Sequence, residues 1–273
     1  MQKPQIIFTI DTLNSGGIAT CNMRWSRQLL KHGYVVKFFV YAPEEILTKE
    51  LPEGVEVVQA SGTAKKTRLA DLKTFLSSLP PEQSIIISGN LATIDVEKVR
   101  PKNLKHWAVL HSVTYLYYRN SLQELLKKQR FWKWLKLKYK LRNYQKALLN
   151  SDLWTSVAKG TMEDGAKFLG QDMRSGGYIY NPACTDVFFH AKENTNPAHP
   201  WLENPELFTF ISCGRLHGVK CFENLINAFA ALHKNHPQAR LLILGAGPLE
   251  ETLEAQIQNL FEHPNPPIAL IGN

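Results

Sequence analysis

Short apolar runs, each closed by a turn and followed by a segment of helical period, recur along the chain, and a parallel sheet covered by helices on both faces accommodates them. Ile6 to Ile10 reads as a buried strand, and "DTLNSGG" leads into a helix with Ile18, Cys21, Trp25 and Leu29 on one face. His32-Gly33 closes that helix, and "YVVKFFVY" is the next strand. A helix near Ala70–Leu79, strands at 84–88 and near Trp107–His111, a basic helix, and then "DLWTSV", "AKGTMEDGAKFL" and "GYIYN" continue the alternation.

Residues 182–206 break it with four prolines, three asparagines and little periodicity, as a linker does. The expected organisation is an N-terminal domain over 1–182, a linker over 183–206 and a second domain over 207–273. In the latter, "LFTFISCG", "ARLLILG" and "PPIALIG" read as strands. One helix carries Phe222, Leu225, Ile226, Phe229 and Leu232, and another, opened by Pro248, carries Leu249, Leu253, Ile257 and Leu260. Three strands and two helices leave a sheet edge open and fall short of a usual domain, so the chain is expected to be a piece of a longer protein.

A net charge of +8 asks for an anionic partner. The excess concentrates in residues 125–151, which hold Lys127, Lys128, Arg130, Lys133, Lys136, Lys138, Lys140, Arg142 and Lys146 and no acid, with Phe131, Trp132, Trp134, Tyr139 and Tyr144 between them. A membrane surface and a nucleic acid both suit such a segment. No nucleic-acid module accompanies the charge, which favours the membrane. The opening "MQKPQIIFTIDTL" has an apolar core too short for a signal peptide or a span. Cys21, Cys184, Cys213 and Cys221 form no C-x-x-C pair, and Cys21 and Cys213 sit in apolar patterns, so buried thiols in a reducing compartment are expected. The expected location is cytoplasmic, with peripheral attachment to the cytoplasmic face of the inner membrane.

Three turns fall at the carboxyl ends of expected strands, where open α/β sheets bind ligands. They are "LNSGGIA" with Gly16 and Gly17, "CGRLHGVK" with Gly214, Arg215 and Lys220, and "LGAGPLE" with Gly245 and Gly247. Glycines let a ligand approach the backbone, a helix N-terminus favours anions, and two cations add charge, so a phosphate-bearing ligand is expected. The dinucleotide fingerprint fails because Glu250 stands where its third glycine would be. G-K-[ST], G-x-S-x-G and H-E-x-x-H are absent, and no metal is expected.

The run "ISCGRLHGVKCFENLINAFAALHKNHPQARLLILGAGPLEETLEAQI" resembles the donor-binding half of glycosyltransferase family 4, a retaining family of the GT-B fold. "IIFTIDTLNSGGIAT", "VLHSVT" and "YNPACTDVFF" resemble, more weakly, that family's opening strand and Gly-Gly loop, its strand ending in histidine, and its hinge. The resemblance implies two Rossmann-like parallel-sheet domains facing across a cleft, the second incomplete here. It implies transfer of a sugar from a nucleotide sugar, UDP-sugar ahead of GDP-sugar, to a polysaccharide, lipopolysaccharide or lipid-linked acceptor, with no cofactor. Arg215 and Lys220 match the pair that binds the donor diphosphate, Gly16 and Gly17 the loop facing it, His111 the histidine beside the donor sugar, and Gly245 and Gly247 the turn flanking the nucleotide. Cys221 departs from the glycine usual after the lysine. The family's two glutamates eight positions apart would follow the last strand and are not in this sequence, so this chain alone is expected to have little or no activity. A non-catalytic subunit that presents half a donor site to a partner is the alternative.

Overall fold

The structure, a computed structural model, describes residues 3–13, 16–42, 51–171, 176–182 and 199–272. The chain divides into two compact units, Met1–Thr185 and Asp186–Asn273.

The first unit holds a seven-stranded sheet in the order β3-β2-β1-β4-β5-β6-β7. Its strands are β1 (Gln5–Ile10), β2 (Val36–Val40), β3 (Glu56–Gln59), β4 (Ser84–Gly89), β5 (Lys105–Leu110), β6 (Leu153–Ser156) and β7 (Gly176–Tyr178), all paired in parallel. Side chains alternate across the sheet. Ile7 and Ile86 enter one buried cluster with Leu72, Leu76 and Val96, while Ile6, Phe8 and Ile10 enter another with Val36, Phe38 and Met23. Six helices accompany the strands among the described residues: α1 (Gly17–Lys31), α2 (Lys65–Ser77), α3 (Ala92–Val99), α4 (Thr114–Lys127), α5 (Phe131–Asn150) and α6 (Lys159–Leu169).

The expected apolar face of α1 meets the sheet, with Cys21 buried and Ile18, Trp25 and Leu29 packed against the cluster of Ile6, Phe8 and Val36. Its buried residues are Ala19, Cys21, Asn22, Met23 and Ser26, whereas Ile18, Trp25 and Leu29 are half-buried. Ala19 and Met23 belong to that cluster, and the Ser26 hydroxyl donates to Asn22 O at 2.7 Å. Trp25 and Leu29 also line an apolar cavity of about 130 Å³ together with Phe8, Ile87 and Val109. The strand β3 and the helices α3 and α4 have no counterpart in the sequence reading.

The second unit holds three parallel strands in the order β10-β9-β8, namely β8 (Phe208–Cys213), β9 (Ala239–Leu244) and β10 (Ile268–Ile271). Helices Phe222–His233 and Glu250–Phe261 bury Phe222, Ile226, Phe229, Leu253 and Ile257 against Leu241, Ile243 and Ile268. Pro248 sits two residues before the second helix, in the turn that precedes it, rather than inside its first turn. Cys213 and Cys221 are exposed, against the expectation of buried thiols, because β8 lies at the edge of the described sheet and Cys221 in a surface turn; Cys21 is buried. Residues 183–198 of the expected linker, with Cys184 and most of the hinge run, lie outside the described residues. Residues 199–206 belong to the second unit, where Pro200–Glu203 forms a helical turn capped by His199 Nδ1 accepting from Trp201 N at 3.2 Å.

Candidate functional site

In the second unit β8 runs out at Cys213 into three residues with separate roles. Leu216 is fully buried and anchors the turn in the core, Arg215 points into solvent, and Gly214 lies beneath Lys220. A methyl group at Gly214 would stand 3.5 Å from Lys220 Cε and 3.6 Å from its Cδ, so the lysine stem crosses the turn there.

This turn is bonded to the next one. Gly214 N donates to Leu244 O at 2.9 Å, Leu216 N to Ala246 O at 3.0 Å, and Leu249 N to Leu216 O at 3.2 Å, while Gly245 N reaches Ile271 O at 2.9 Å. The carboxyl ends of all three described strands are thereby gathered into one platform. Gly245 (φ +140°) and Gly247 are required by contact: a Cβ would stand 2.1 Å from Gly214 O in the first case and 2.4 Å from Leu216 O in the second. Neither Arg215 nor Lys220 enters an ion pair among the described residues, and both are exposed. Two exposed cations, in no ion pair among the described residues, thus stand beside the N-terminus of helix Phe222–His233, a setting that favours negative charge.

Cys221 explains why a glycine would suit its position. It is held in the left-handed region at φ +53°, ψ +39°, between the 3-10 turn Gly218–Lys220 and the helix. A side chain there costs about 1–2 kcal/mol. Cys221→Gly is therefore expected to raise stability by about 1 kcal/mol, partly offset by the freer unfolded chain, as read by urea unfolding.

In the first unit the order of strands reverses between β1 and β4, and a pocket of about 250 Å³ lies at their carboxyl ends. Asp11, Thr12, Gly16, Gly17, Gly89 and Asn90 line it. A side chain at Gly16 or Gly17 would meet no atom within 4 Å, so packing demands neither glycine, although Gly16 at φ +105° is required by its backbone conformation. His111 follows the end of β5, and its ring lies against Gly89, where a Cβ would stand 2.8 Å from His111 Cδ2. Gly89 thus borders both the pocket and the histidine.

Residues 194–264 match the family model for glycosyl transferases group 1. No curated protein matches the chain by sequence. Among solved structures, HepE of Anabaena in complex with UDP and glucose superposes with a TM-score of 0.63 at 16% identity, over 98% of this chain and 69% of that one. The lipopolysaccharide outer core galactosyltransferase WaaB gives 0.59 at 15% identity, over 98% and 68%. TarM of S. aureus in complex with UDP gives 0.69 at 9% identity, over 98% and 77%.

The fold is GT-B.

In this GT-B chain the titration of His111 is displaced. Burial pushes its pKa down to about 4, so the imidazole is neutral at pH 7. The folded value lies below the unfolded one, so its contribution to stability is complete above about pH 6.5 and drains away as pH falls towards 4. The loss expected is at most about 3 kcal/mol. Unfolding measured from pH 7 to 4 should show it, and His111→Phe should flatten the slope; His106, also held below its ordinary value by burial, supplies the remainder.

His106 belongs to a constellation that the sequence reading missed. Its Nε2 accepts from the Ser88 hydroxyl at 2.7 Å and its Nδ1 donates to Glu97 Oε1 at 2.5 Å, an arrangement shaped like a nucleophilic relay. Ser88 and His106 are each 1% exposed, and Arg100 and Asp152 close the network at the start of β5. No substrate reaches that serine, so the network is structural. The residues stand 9 and 18 positions apart with no motif around them.

The basic candidates gather elsewhere. Lys127 ends α4, Lys128 and Arg130 form the turn to α5, and Trp132, Lys133, Lys136, Lys138 and Lys140 are exposed along the first half of α5. Trp134 is half-buried, with the Lys138 ammonium 4.5 Å over its ring.

Proposed function

We propose that the chain belongs to a retaining glycosyltransferase that moves a sugar from a nucleotide donor, a UDP-sugar ahead of a GDP-sugar, to a glycan or lipid-linked acceptor of polysaccharide or lipopolysaccharide assembly. The observation that carries this is the platform at the carboxyl ends of β8 and β9, which holds Arg215 and Lys220 exposed and in no ion pair among the described residues. Cleavage of a sugar–phosphate bond leaves negative charge growing on the diphosphate. Cations already fixed in place stabilise it without reorganising. Arg215 suits forked binding of phosphate oxygens, and Lys220 suits a point charge near the leaving group. The platform is rigid for a physical reason: Leu216 is buried behind it and two glycines allow backbone to pack on backbone. His111, kept neutral by burial, suits a hydrogen bond to the donor sugar without repelling a developing oxocarbenium ion. HepE and TarM were both solved with UDP, which supports the choice of donor class. We place the reaction at the cytoplasmic face of a membrane; no helix among the described residues is long and apolar enough to cross one.

The test is a donor panel of UDP- and GDP-hexoses incubated with the protein and a lipopolysaccharide or lipid-linked acceptor. Release of nucleoside diphosphate together with an acceptor heavier by one sugar, its anomeric configuration retained, is the result that supports the reading, at the low rate expected of this chain alone. Donor left intact by a protein that also fails to bind UDP would overturn the reading. UDP binding without transfer would leave the chain as a donor-binding subunit.

A further inference from the structure

Helices α4 and α5 form a hairpin whose two ends differ in physical character. Its base is rooted in the first unit: Leu141, Tyr144, Ala147 and Leu148 are buried, with Tyr118 and Leu122 packed against the same cluster. A carboxylate fixes the start of α4, since Asp164 accepts from Tyr115 N at 2.7 Å and from Leu116 N at 3.0 Å. Its far end is bare. Leu126 is 51% exposed, Phe131 55% and Trp132 82%, and the three sit at the turn between the helices.

The hairpin also carries the whole of the protein's positive excess. Residues 114–150 hold ten of the 32 Lys and Arg residues and one of the 24 acids, so the rest of the chain sets 22 cations against 23 anions. That one acid, Glu124, is engaged with Lys128 at 2.5 Å. An apolar knob ringed by lysines, on a stem held by buried residues, has the character of an interfacial anchor: apolar groups enter the acyl boundary while cations stay at anionic headgroups. A nucleic-acid platform would offer open aromatic faces. Here Trp132 alone is open at the tip, while Phe131 is stacked on Trp134 (5.8 Å, 17° between planes) and Leu126 offers nothing to a base, so successive bases find no run of faces.

We propose that the tip of the α4–α5 hairpin docks the protein on an anionic lipid bilayer, with Leu126, Phe131 and Trp132 inserted and Lys127, Lys128 and Lys133 at the headgroups. This deepens the membrane placement made above and rests on it. Docking is read without turnover, so its failure and a failure of the transferase reading are separable.

The experiment is co-sedimentation with vesicles of phosphatidylcholine, with or without one third phosphatidylglycerol. Binding to the anionic vesicles alone, weakened by salt, is expected. Lys127→Glu, Lys128→Glu and Lys133→Glu combined should reduce partitioning by at least about 100-fold, at about fivefold per charge removed. Leu126→Ser, Phe131→Ser and Trp132→Ser combined should reduce it about tenfold or more. Should the tip variant misfold, bromine-labelled acyl chains give a second readout: they should quench the wild-type tryptophan fluorescence markedly more than that of Trp132→Phe. Equal sedimentation with both vesicle types, equal quenching in both proteins, or displacement from vesicles by single-stranded nucleic acid at lower concentration than by anionic lipid would each overturn the proposal.

Discussion

Arg215→Ala and Lys220→Ala are each expected to lower sugar transfer about 100- to 1,000-fold, the usual effect of removing one preorganised donor from a site where charge develops. The loss should fall on kcat at least as much as on KM, because charge on the diphosphate is greatest after the bond has begun to break. Stability should move by no more than about 0.5 kcal/mol, since both side chains are exposed and neither is in an ion pair among the described residues. That separation of activity from stability is the diagnostic. Lys220→Arg tests shape against charge: its charge is kept, but a planar fork cannot follow the lysine stem over Gly214, and only partial rescue is expected. Steady-state kinetics beside thermal unfolding reads both. Wild-type kcat in Arg215→Ala would remove that residue from the reaction.

Gly247→Ala should do the reverse and act through the fold. The added methyl would lie 2.4 Å from Leu216 O and 2.8 Å from Leu216 N, both backbone atoms with no rotamer by which to escape. Relief requires the two turns to part, breaking the Leu216 N to Ala246 O and Leu249 N to Leu216 O bonds. The expected cost is about 3 kcal/mol or more, measured by urea unfolding. Gly245→Ala is expected to be as severe, with its Cβ 2.1 Å from Gly214 O and a backbone at φ +140° that side chains avoid. UDP affinity should fall with stability in both variants, because the platform that holds Arg215 would be gone. Gly218→Ala, with no atom within 4 Å of the new methyl, is the control and should be close to neutral.

These expectations mark what could be read from the chain alone. The turn at 214–220 was visible because its chemistry is local: a strand of apolar residues, then glycine, a cation, and a second cation before a helix. Strands β1, β2, β4 and β9 were visible for the same reason, since burial writes itself into runs of Ile, Val, Phe and Leu, and β8 was visible from its apolar run although none of its residues is buried. Hidden features depend on partners distant in sequence. Glu56–Gln59 forms an edge strand with only Val57 and Val58 half-buried, too little apolar pattern to stand out. The N-terminus of α4 is held by Asp164, 49 and 48 residues away, and no residue near Thr114 announces it. The bonding of the 214–216 turn to the 245–249 turn is likewise tertiary, so the sequence offers the glycines of the second turn as a place for ligand approach and gives no sign that they also pack backbone on backbone. On α1 the large apolar residues mark a face that does meet the sheet, while full burial falls on Ala19, Cys21, Asn22, Met23 and Ser26 and Trp25 and Leu29 line a cavity.

The diphosphate clamp at Arg215 and Lys220 is tested most directly by calorimetric titration of the protein with UDP, UMP and uridine. UDP should bind at least about tenfold more tightly than UMP, in line with an added charge-assisted contact, and that advantage should vanish when Arg215→Ala and Lys220→Ala are combined. Equal affinities for UDP and UMP, or an advantage that survives the double substitution, would contradict it.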